Sequence, residues 1–297
     1  MNSPPDISEI GSRARRIVEI LAREHPSRSG LFPDRLESAA RFIEAEMRTL
    51  GYSVESQTYE SDGTNVRNLI AERPGRNPAA SCIVLGAHYD TVPETPGADD
   101  NASGAAGLLE LARLLRDYPT RRPIKFVAFA HEEPPYFYTA QMGSRQYAKM
   151  LRRQKAKVLL MFSLEMLGYA DECYEQSYPF PLMRQLLGYP KSGNFVGLVG
   201  NVRTIRLLRV VREAMRRGCN IGVESLSAPG FLPPLFLSDH SSFWRYRYPA
   251  LMVTDTAFMR NPHYHLPTDT DSTINYRFLA EVISGVYSAV LALDGLP

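Results

Sequence analysis

The sequence predicts an α/β protein with a mostly parallel central sheet sandwiched between helices, and with an antiparallel edge. Short apolar runs alternate along the chain with segments of helical spacing, which is typical of this class. Several runs are continuously apolar, as in strands that helices cover on both faces. The 297 residues, 44% of them hydrophobic, are enough to bury one large core.

The first predicted elements are two helices and a pair of strands. Residues 8–24 and 34–50 repeat their apolar residues at helical spacing. Residues 52–59 alternate as a strand does, and residues 65–72 follow after a Ser-Asp-Gly turn. We expect this pair to form the antiparallel edge.

The later elements alternate between strand and helix. The predicted strands are 81–86, 124–130, 158–164 and 250–254, and the predicted helices are 103–117, 143–153, 203–217 and 275–293. Residues 169–202 are rich in Tyr, Pro and Gly, residues 226–238 are rich in Pro and apolar residues, and neither stretch fits a regular element. We expect both to be loops that form the walls of a pocket.

Composition excludes several classes of function. The formal charge of +2 gives no electrostatic case for a nucleic-acid partner. Cys82, Cys173 and Cys219 lie far apart, which argues against a disulfide framework and a thiolate zinc site. The N-terminus has no signal-peptide core, and no window approaches the roughly 18–20 apolar residues of a membrane span. We expect a cytoplasmic protein without a membrane partner, although export by an uncleaved or missing leader stays open.

Acids and histidines stand directly after three predicted strands. His88 and Asp90 follow the first, Glu132 and Glu133 follow the second, and Glu165 follows the third. Functional groups of open α/β sheets gather outside the carboxyl ends of the strands, so these side chains are expected to converge. Asp99 and Asp100 precede a helix, where unpaired N–H groups favour negative charge.

These residue types suit a pair of metal ions. The candidate ligands are His88, Asp99, Glu133, Glu165 and His265. Carboxylate oxygens and imidazole nitrogens bind zinc, and one bridging carboxylate can hold two ions about 3.5–4 Å apart. Glu132 stands beside a ligand and is free to move protons. The pattern predicts a hydrolase that activates water with two zinc ions, although other divalent metals are possible.

Six motifs, taken together, resemble the di-zinc aminopeptidase family of the bacterial leucyl aminopeptidase type. They are HYD at 88–90, GADDNASG at 97–104, HEEPP at 131–135, SLEMLGY at 163–169, SDHSSFW at 238–244 and HYHLPTDT at 263–270. More distant relatives are glutaminyl cyclase, glutamate carboxypeptidase and the transferrin receptor ectodomain. The resemblance covers about residues 65–290 and implies a zinc-exopeptidase fold, of the phosphorylase/hydrolase-like type.

The resemblance also implies roles for the individual residues. Asp90 would orient the ligand His88. The carboxylate of Asp99 would bridge the metals, and the peptide bond between Asp99 and Asp100 would be cis. Glu132 would act as general base and then as general acid. The remaining ligands would be Glu133, Glu165 and His265, and Ser238 and Asp239 would support the site.

The sequence does not decide which group donates a hydrogen bond to the oxyanion. Several secreted relatives have a tyrosine three residues before the SDH motif, where this chain has Leu235. Tyr264, His263 or a tyrosine of residues 169–178 could replace it, and the second metal could act as Lewis acid. Those relatives also have a disulfide cysteine where this chain has Leu237.

We therefore expect one catalytic domain over residues 1–297, with N-terminal helices at 8–50 and a metal-site core at 65–290. The expected activity is that of an aminopeptidase on peptides or aminoacyl amides. The sequence predicts neither the oligomeric state nor the side-chain preference. Two alternatives keep the same fold: a mono-zinc aminoacyltransferase like glutaminyl cyclase, and a non-catalytic binding protein.

Overall fold

The computed structural model describes residues 5–178, 183–228 and 236–296. The α-helices are α1 (Ile7–Arg23), α2 (Pro33–Thr49), α3 (Gly104–Leu115), α4 (Gly143–Arg153), α5 (Met183–Leu187), α6 (Ile205–Gly218), α7 (His240–Arg245) and α8 (Tyr276–Asp294). The strands are β1 (Val54–Ser61), β2 (Thr64–Arg73), β3 (Cys82–His88), β4 (Ile124–Phe129), β5 (Val158–Glu165), β6 (Asp171–Glu175), β7 (Ser192–Gly193), β8 (Phe195–Asn201), β9 (Gly222–Ala228) and β10 (Ala250–Thr254).

Local sequence fixes the starts of several helices. The Asp6 side chain accepts hydrogen bonds from the first free N–H groups of α1, and Asn275 caps α8 in the same way. α2 begins with Pro33, whose missing N–H costs nothing in the first turn. These starts lie within two residues of those that the sequence predicts.

Eight strands form one sheet in the order β1-β2-β4-β3-β5-β10-β8-β9, and β6 pairs with β7 separately. β4, β3, β5 and β10 are parallel, and β1, β2 and β4 form antiparallel pairs at one edge. This confirms the predicted α/β class with its antiparallel edge. A second antiparallel junction, between β10 and β8, was not predicted.

The sheet separates two apolar cores. Alternate residues of β3 face opposite sides: Ile83 and Leu85 pack into the core with α1, α2, α3, α6 and α8, whereas Val84 packs into the core with α4 and α7. All seven residues of β3 are buried, as the continuously apolar run predicts. Helices therefore cover both faces of the sheet.

Two predicted loops contain regular structure, and that part of the prediction was wrong. Residues 169–202 include β6, α5, β7 and β8, and the last of these joins the main sheet. The start of 226–238 belongs to β9, which pairs with β8. Leu235 lies outside the described residues.

α8 is long and apolar enough, by length and composition, to cross a membrane, and it is the one such helix found in the described ranges. No such window was predicted from the sequence. About 72% of that window is buried, and α8 packs against α1, α3 and α6. The helix thus forms part of the core.

The division of the chain into one domain, with N-terminal helices at 8–50 and a metal-site core at 65–290, stays a prediction.

Candidate metal centre

Three neighbouring parallel strands deliver the candidate side chains to one edge of the sheet. β3 ends at His88, β5 ends at Glu165, and Glu132 and Glu133 follow β4. β3 lies between β4 and β5, so the three strand ends are adjacent. The predicted convergence at the carboxyl ends of the strands is present in the structure.

Two groups of possible ligand atoms share one carboxylate. His88, Asp100 and Glu165 form one group, and Asp100, Glu133 and His265 form the other, with the atoms of each group within 4.8 Å of one another. His88 Nε2 lies 3.4 Å from Asp100 Oδ1, and His265 Nε2 lies 3.2 Å from Asp100 Oδ2. Each oxygen of Asp100 therefore faces one group, as a bridging carboxylate requires.

Asp100, rather than the predicted Asp99, occupies the position that the two groups share. Asp99 faces away from both groups: Oδ1 accepts a hydrogen bond from the Gly168 N–H at 2.9 Å, and Oδ2 accepts one from the Asn261 side chain at 2.7 Å. The cis peptide bond joins Asp100 to Asn101, one residue later than expected. Both oxygens of Asp99 thus serve to hold neighbouring chain segments.

The residues fit divalent metal ions. Carboxylate oxygens and imidazole nitrogens are the donors that zinc takes. His265 Nε2 and Asp100 Oδ1 are buried without a hydrogen-bond partner among the described residues, although charged oxygens or nitrogens lie nearby. Groups that approach closely without bonding to each other are suited to bonding a common ion.

Glu132 lies beside both groups without belonging to either. Its Oε2 is 3.8 Å from His88 Nε2, and its side chain is buried. Burial raises the pKa of Glu132 well above its ordinary value, and the charges of Glu165 and Glu133 raise it further. A carboxylate with a raised pKa is a stronger proton acceptor than an exposed glutamate.

The Asp90 carboxylate lies beside His88 and also binds the turn that follows β4. Its two oxygens accept hydrogen bonds from the N–H groups of Glu132 at 3.1 Å and Glu133 at 2.9 Å. His88 Nδ1 lies 3.2 Å from the Asp90 backbone oxygen and 3.6 Å from the carboxylate. The Asp90 carboxylate therefore fixes the turn that carries Glu132 and Glu133, and its role in orienting His88 stays a prediction.

A second carboxylate, whose role was not predicted from the sequence, holds the backbone N–H groups of Asp99 and Asp100. Asp269 accepts hydrogen bonds from the N–H groups of Asp99 at 2.9 Å and Asp100 at 3.1 Å. Its position in the HYHLPTDT motif, four residues after His265, was the available signal. Ser238, predicted as support, donates a hydrogen bond to Glu165 Oε2 at 2.6 Å.

An apolar cavity of about 100 Å³ adjoins the centre through Glu165 and Tyr264. Its other walls come mainly from β8, β9, β10 and the segments beside them, and include Tyr178, Tyr189, Phe195, Leu198 and Met252. The hydroxyls of Tyr178 and Tyr189 donate to backbone carbonyls, so their rings present apolar faces. This agrees with the expectation that aromatic residues of 169–202 wall a pocket.

Tyr264 is the tyrosine that the structure places next to the candidate ligands. Its ring stacks on that of His265 at 3.8 Å between centroids, and it also lines the cavity. Burial and the nearby charges of Asp100, Glu133 and Glu132 raise the pKa of Tyr264, so that its hydroxyl stays protonated. A proton donor therefore stands where the cavity meets the acids.

The chain is similar to several known proteins. The model of Peptidase family M28 matches residues 68–290. "Uncharacterized protein YfbL" of Escherichia coli (strain K12) is 42% identical over 272 residues, which cover 88% of this chain and 81% of YfbL. Aminopeptidase YwaD of Bacillus subtilis (strain 168) is 36% identical over 114 residues, which cover 38% of this chain and only 24% of YwaD.

Solved structures show the same fold. BSAP, a zinc aminopeptidase from Bacillus subtilis, superposes with a TM-score of 0.71 at 17% identity and covers 94% of each chain. Glutaminyl cyclase of Bacteroides thetaiotaomicron superposes with a TM-score of 0.70 at 18% identity, covering 97% of this chain and 99% of that one. At these identities the likeness concerns the fold alone, and both proteins share it.

Proposed function

The chain belongs to peptidase family M28, and on that premise we propose that it is a di-zinc aminopeptidase that removes N-terminal residues from peptides. Membership supports a hydrolase that acts on peptide bonds. The observation that carries the finer proposal is the pair of ligand groups that share Asp100, with Glu132 outside both. We propose His88, Asp100 and Glu165 as ligands of one ion and Asp100, Glu133 and His265 as ligands of the other.

The residues of the chain divide the chemical work. When bound, two zinc ions supply Lewis acidity to water and to the scissile carbonyl. Glu132 takes the proton of the attacking water and later gives it to the leaving amine. Asp90 and Asp269 hold the backbone on which Glu132, Glu133 and Asp100 stand.

Tyr264 is the proposed oxyanion donor. Of the three candidates, it is the one that borders both the cavity and the candidate ligands. His263 is the less suitable candidate because its Nδ1 lies 2.9 Å from the Thr268 hydroxyl and its side chain contacts Tyr169. Hydrogen bonds to the charge that develops on the carbonyl oxygen are strong in a site that excludes water.

The substrate proposal follows from the cavity. Its apolar walls favour a large apolar or aromatic side chain on the residue that is released. Glu224 also lines the cavity, but it is paired with Arg212 Nη2 at 3.2 Å, which leaves little free charge to attract a basic side chain. We therefore expect leucyl, methionyl or phenylalanyl substrates to be preferred.

The test is hydrolysis of aminoacyl-anilides, free or N-blocked, by the wild-type protein and by Glu132→Gln. We expect turnover of the free substrates alone. The variant should keep its zinc and lose at least about two orders of magnitude in rate, the usual scale of general-base loss. Glu281→Gln is a matched control, since Glu281 is a buried glutamate on α8 that binds Asn220.

Metal analysis separates the alternatives. Two zinc ions per chain agree with the proposal, one ion favours a cyclase-like transferase, and no ion favours a binding protein. Full activity of Glu132→Gln would contradict the assignment of the base. The likeness to glutaminyl cyclase is compatible with the second option, but two complete ligand groups favour two ions.

A further inference from the structure

Arg28 lies in the connection between α1 and α2, and its side chain is fully buried. Its guanidinium donates hydrogen bonds to the carbonyl oxygens of Tyr89 at 2.6 Å, Pro96 at 2.8 Å and Gly97 at 2.7 Å. A longer contact of 3.3 Å reaches the Leu21 carbonyl. All these partners are backbone atoms, so the planar fork of the guanidinium joins separate segments of chain.

The three close partners belong to the loop that carries candidate ligands at both ends. Tyr89 directly follows His88, and Gly97 stands three residues before Asp100. Next to Arg28, the Ser27 N–H donates to the Thr95 carbonyl at 2.8 Å, and the Ser27 hydroxyl accepts from the Glu94 N–H at 2.9 Å. The segment of Ser27 and Arg28 therefore holds the whole loop in a fixed shape.

The loop fits closely around this arginine. Gly97 has φ of 61°, and a Cβ there would lie 3.1 Å from Arg28 Nη2 and 2.5 Å from the Asp100 carbonyl oxygen. Glycine is thus required where the backbone passes between the guanidinium and Asp100. A shift of Arg28 would move the Gly97 carbonyl that it binds, three residues before Asp100.

A buried charge needs a compensating environment. Burial lowers the pKa of Arg28 to about 10, while the charges of Asp269, Asp100, Asp90 and Glu133 oppose that effect. The guanidinium therefore stays charged at neutral pH, within the field of the acids of the candidate centre. An apolar residue could fill the same space, but it would leave the three carbonyls unpaired.

We propose that Arg28 is a positioning residue of the metal centre, which sets the distance between His88 and Asp100 by binding the carbonyls of Tyr89, Pro96 and Gly97. The inference rests on the proposed function, because it needs a metal to be bound. Arg28 precedes residues 68–290, the range that the family model matches. The N-terminal helices thus contribute to the site through the connection between them.

The experiment compares Arg28→Lys with Arg122→Lys. Arg122 is also buried, donates to the carbonyls of Leu296 and Ser81, and stands before β4, at the end of the sheet opposite to Glu132. Zinc affinity is measured in metal buffers, the absorption spectrum of the cobalt-substituted protein is recorded, and unfolding by denaturant is followed in the presence of chelator. A lysine keeps the charge but cannot bind three carbonyls in one plane.

We expect Arg28→Lys to lower zinc affinity by about 10- to 100-fold, as loss of a partner behind a metal ligand does, and to change the cobalt spectrum. Arg122→Lys should lose stability without either change. Wild-type zinc affinity in Arg28→Lys, or an equal loss in Arg122→Lys, would overturn the inference. A wild-type protein that binds no zinc would overturn the proposed function with it.

A second pair of variants, Arg28→Gln and Arg122→Gln, is the control for effects on folding. Glutamine carries no charge and still donates to one or two carbonyls. If both Arg28 variants fail to fold where the Arg122 variants fold, Arg28 is a folding determinant and the positioning role is overturned. A folded Arg28→Gln with weakened zinc binding supports it.

Discussion

At the scale of single residues, Asp100 is the side chain on which both proposed metal sites depend. One of its oxygens faces His88 and the other faces His265. Asp100→Asn would replace one of these oxygens by a nitrogen that cannot bind a metal. We expect zinc affinity to fall by more than the roughly 10- to 100-fold typical of outer partners, and the zinc content after dialysis to fall below two ions per chain.

Asp99→Asn is the matched control for that change. Its side chain binds the N–H of Gly168 and the amide of Asn261 and also contacts Asp255, so the variant disturbs these contacts and leaves both ligand groups complete. We expect it to keep two zinc ions. If Asp99→Asn loses the metals and Asp100→Asn retains them, the original assignment of the bridge to Asp99 would be restored.

Tyr264→Phe tests the oxyanion donor. Loss of one such donor typically lowers kcat by about 10²- to 10³-fold, and KM should change little because the bond forms in the transition state. Tyr248→Phe is the control, since that hydroxyl donates to the Ala156 carbonyl, away from the cavity. Steady-state kinetics on leucyl-anilide distinguish the two, and a Tyr264→Phe enzyme with unchanged kcat would exclude this role.

The sequence predicted most of the residues that converge, because strands deliver them in a known direction. His88 and Glu165 end β3 and β5, and Glu133 follows β4, so the order of elements alone brings them together. Adjacent acids such as Asp99 and Asp100 have no such constraint, since the direction of each side chain depends on the local turn. The role of Asp269 depends on contacts 169 and 170 residues away, which one sequence does not reveal.

At the scale of elements, β8 forms one wall of the proposed side-chain pocket. Gly197 lies on this strand and lines the cavity; a Cβ there would meet the Thr254 carbonyl oxygen and Thr256 Cγ2 at 3.4 and 3.6 Å, which is ordinary contact. Gly197→Val should therefore fold and occupy part of the pocket. Because single methylene differences in such pockets change specificity by roughly 10- to 200-fold, we expect kcat/KM for phenylalanyl-anilide to fall by that order.

Alanyl-anilide is the internal control for Gly197→Val, since its methyl group leaves the pocket largely empty. Its kcat/KM should stay close to that of the wild type. Equal losses on both substrates would mean that the change disturbs the metal centre, and no loss on either would mean that the side chain of the substrate binds elsewhere.

β8 and β9 also show where strand prediction fails. β8 reads Phe-Val-Gly-Leu-Val-Gly-Asn, and glycine lowers the preference for strand. It becomes a strand because it pairs with β10 on one side and β9 on the other. β10, by contrast, is a short continuous run of buried residues and is predicted to the residue.

At the scale of the whole molecule, the alternation of strands and helices was sufficient to predict the fold. Each buried strand must be covered on both faces, and the intervening helices provide that cover with short connections. The direction reversal at β10–β8 was not predictable in this way, because its connections run through Pro- and Tyr-rich segments without periodicity. The cavity is formed where the regular alternation stops.

The buried acids should make the stability of the protein depend on pH. Without zinc, stability should fall as the pH rises, and the stabilisation by zinc should grow as the pH rises. Without metal, burial and neighbouring acids raise the pKa of Glu133 to about 8, of Asp239 to about 7 and of Asp269 to about 8. Contacts with Asp100 and Glu133 raise the pKa of His265 to about 10, against the lowering effect of burial. The folded chain therefore holds protons that the unfolded chain releases at lower pH.

A raised pKa in the folded state stabilises the fold at low pH, and this stabilisation is lost as the pH rises through the folded value. Between about pH 5 and 8, the chelator-treated protein should lose stability as the pH rises. The lowered pKa of Asp90 acts in the other direction, but its contribution is lost only as the pH falls below the ordinary carboxylate range near 4.

Zinc should reverse this trend, because it binds deprotonated ligands and takes the place of the protons that neutralise the buried acids. At 100 times the dissociation constant, each site adds about 2.7 kcal/mol to the free energy of unfolding. Denaturant unfolding at pH 5, 6, 7 and 8, with chelator and with zinc, measures both effects. The zinc increment should grow with pH; an increment independent of pH, or a chelated protein that becomes more stable from pH 5 to 8, would show that the buried acids do not meet at a metal centre.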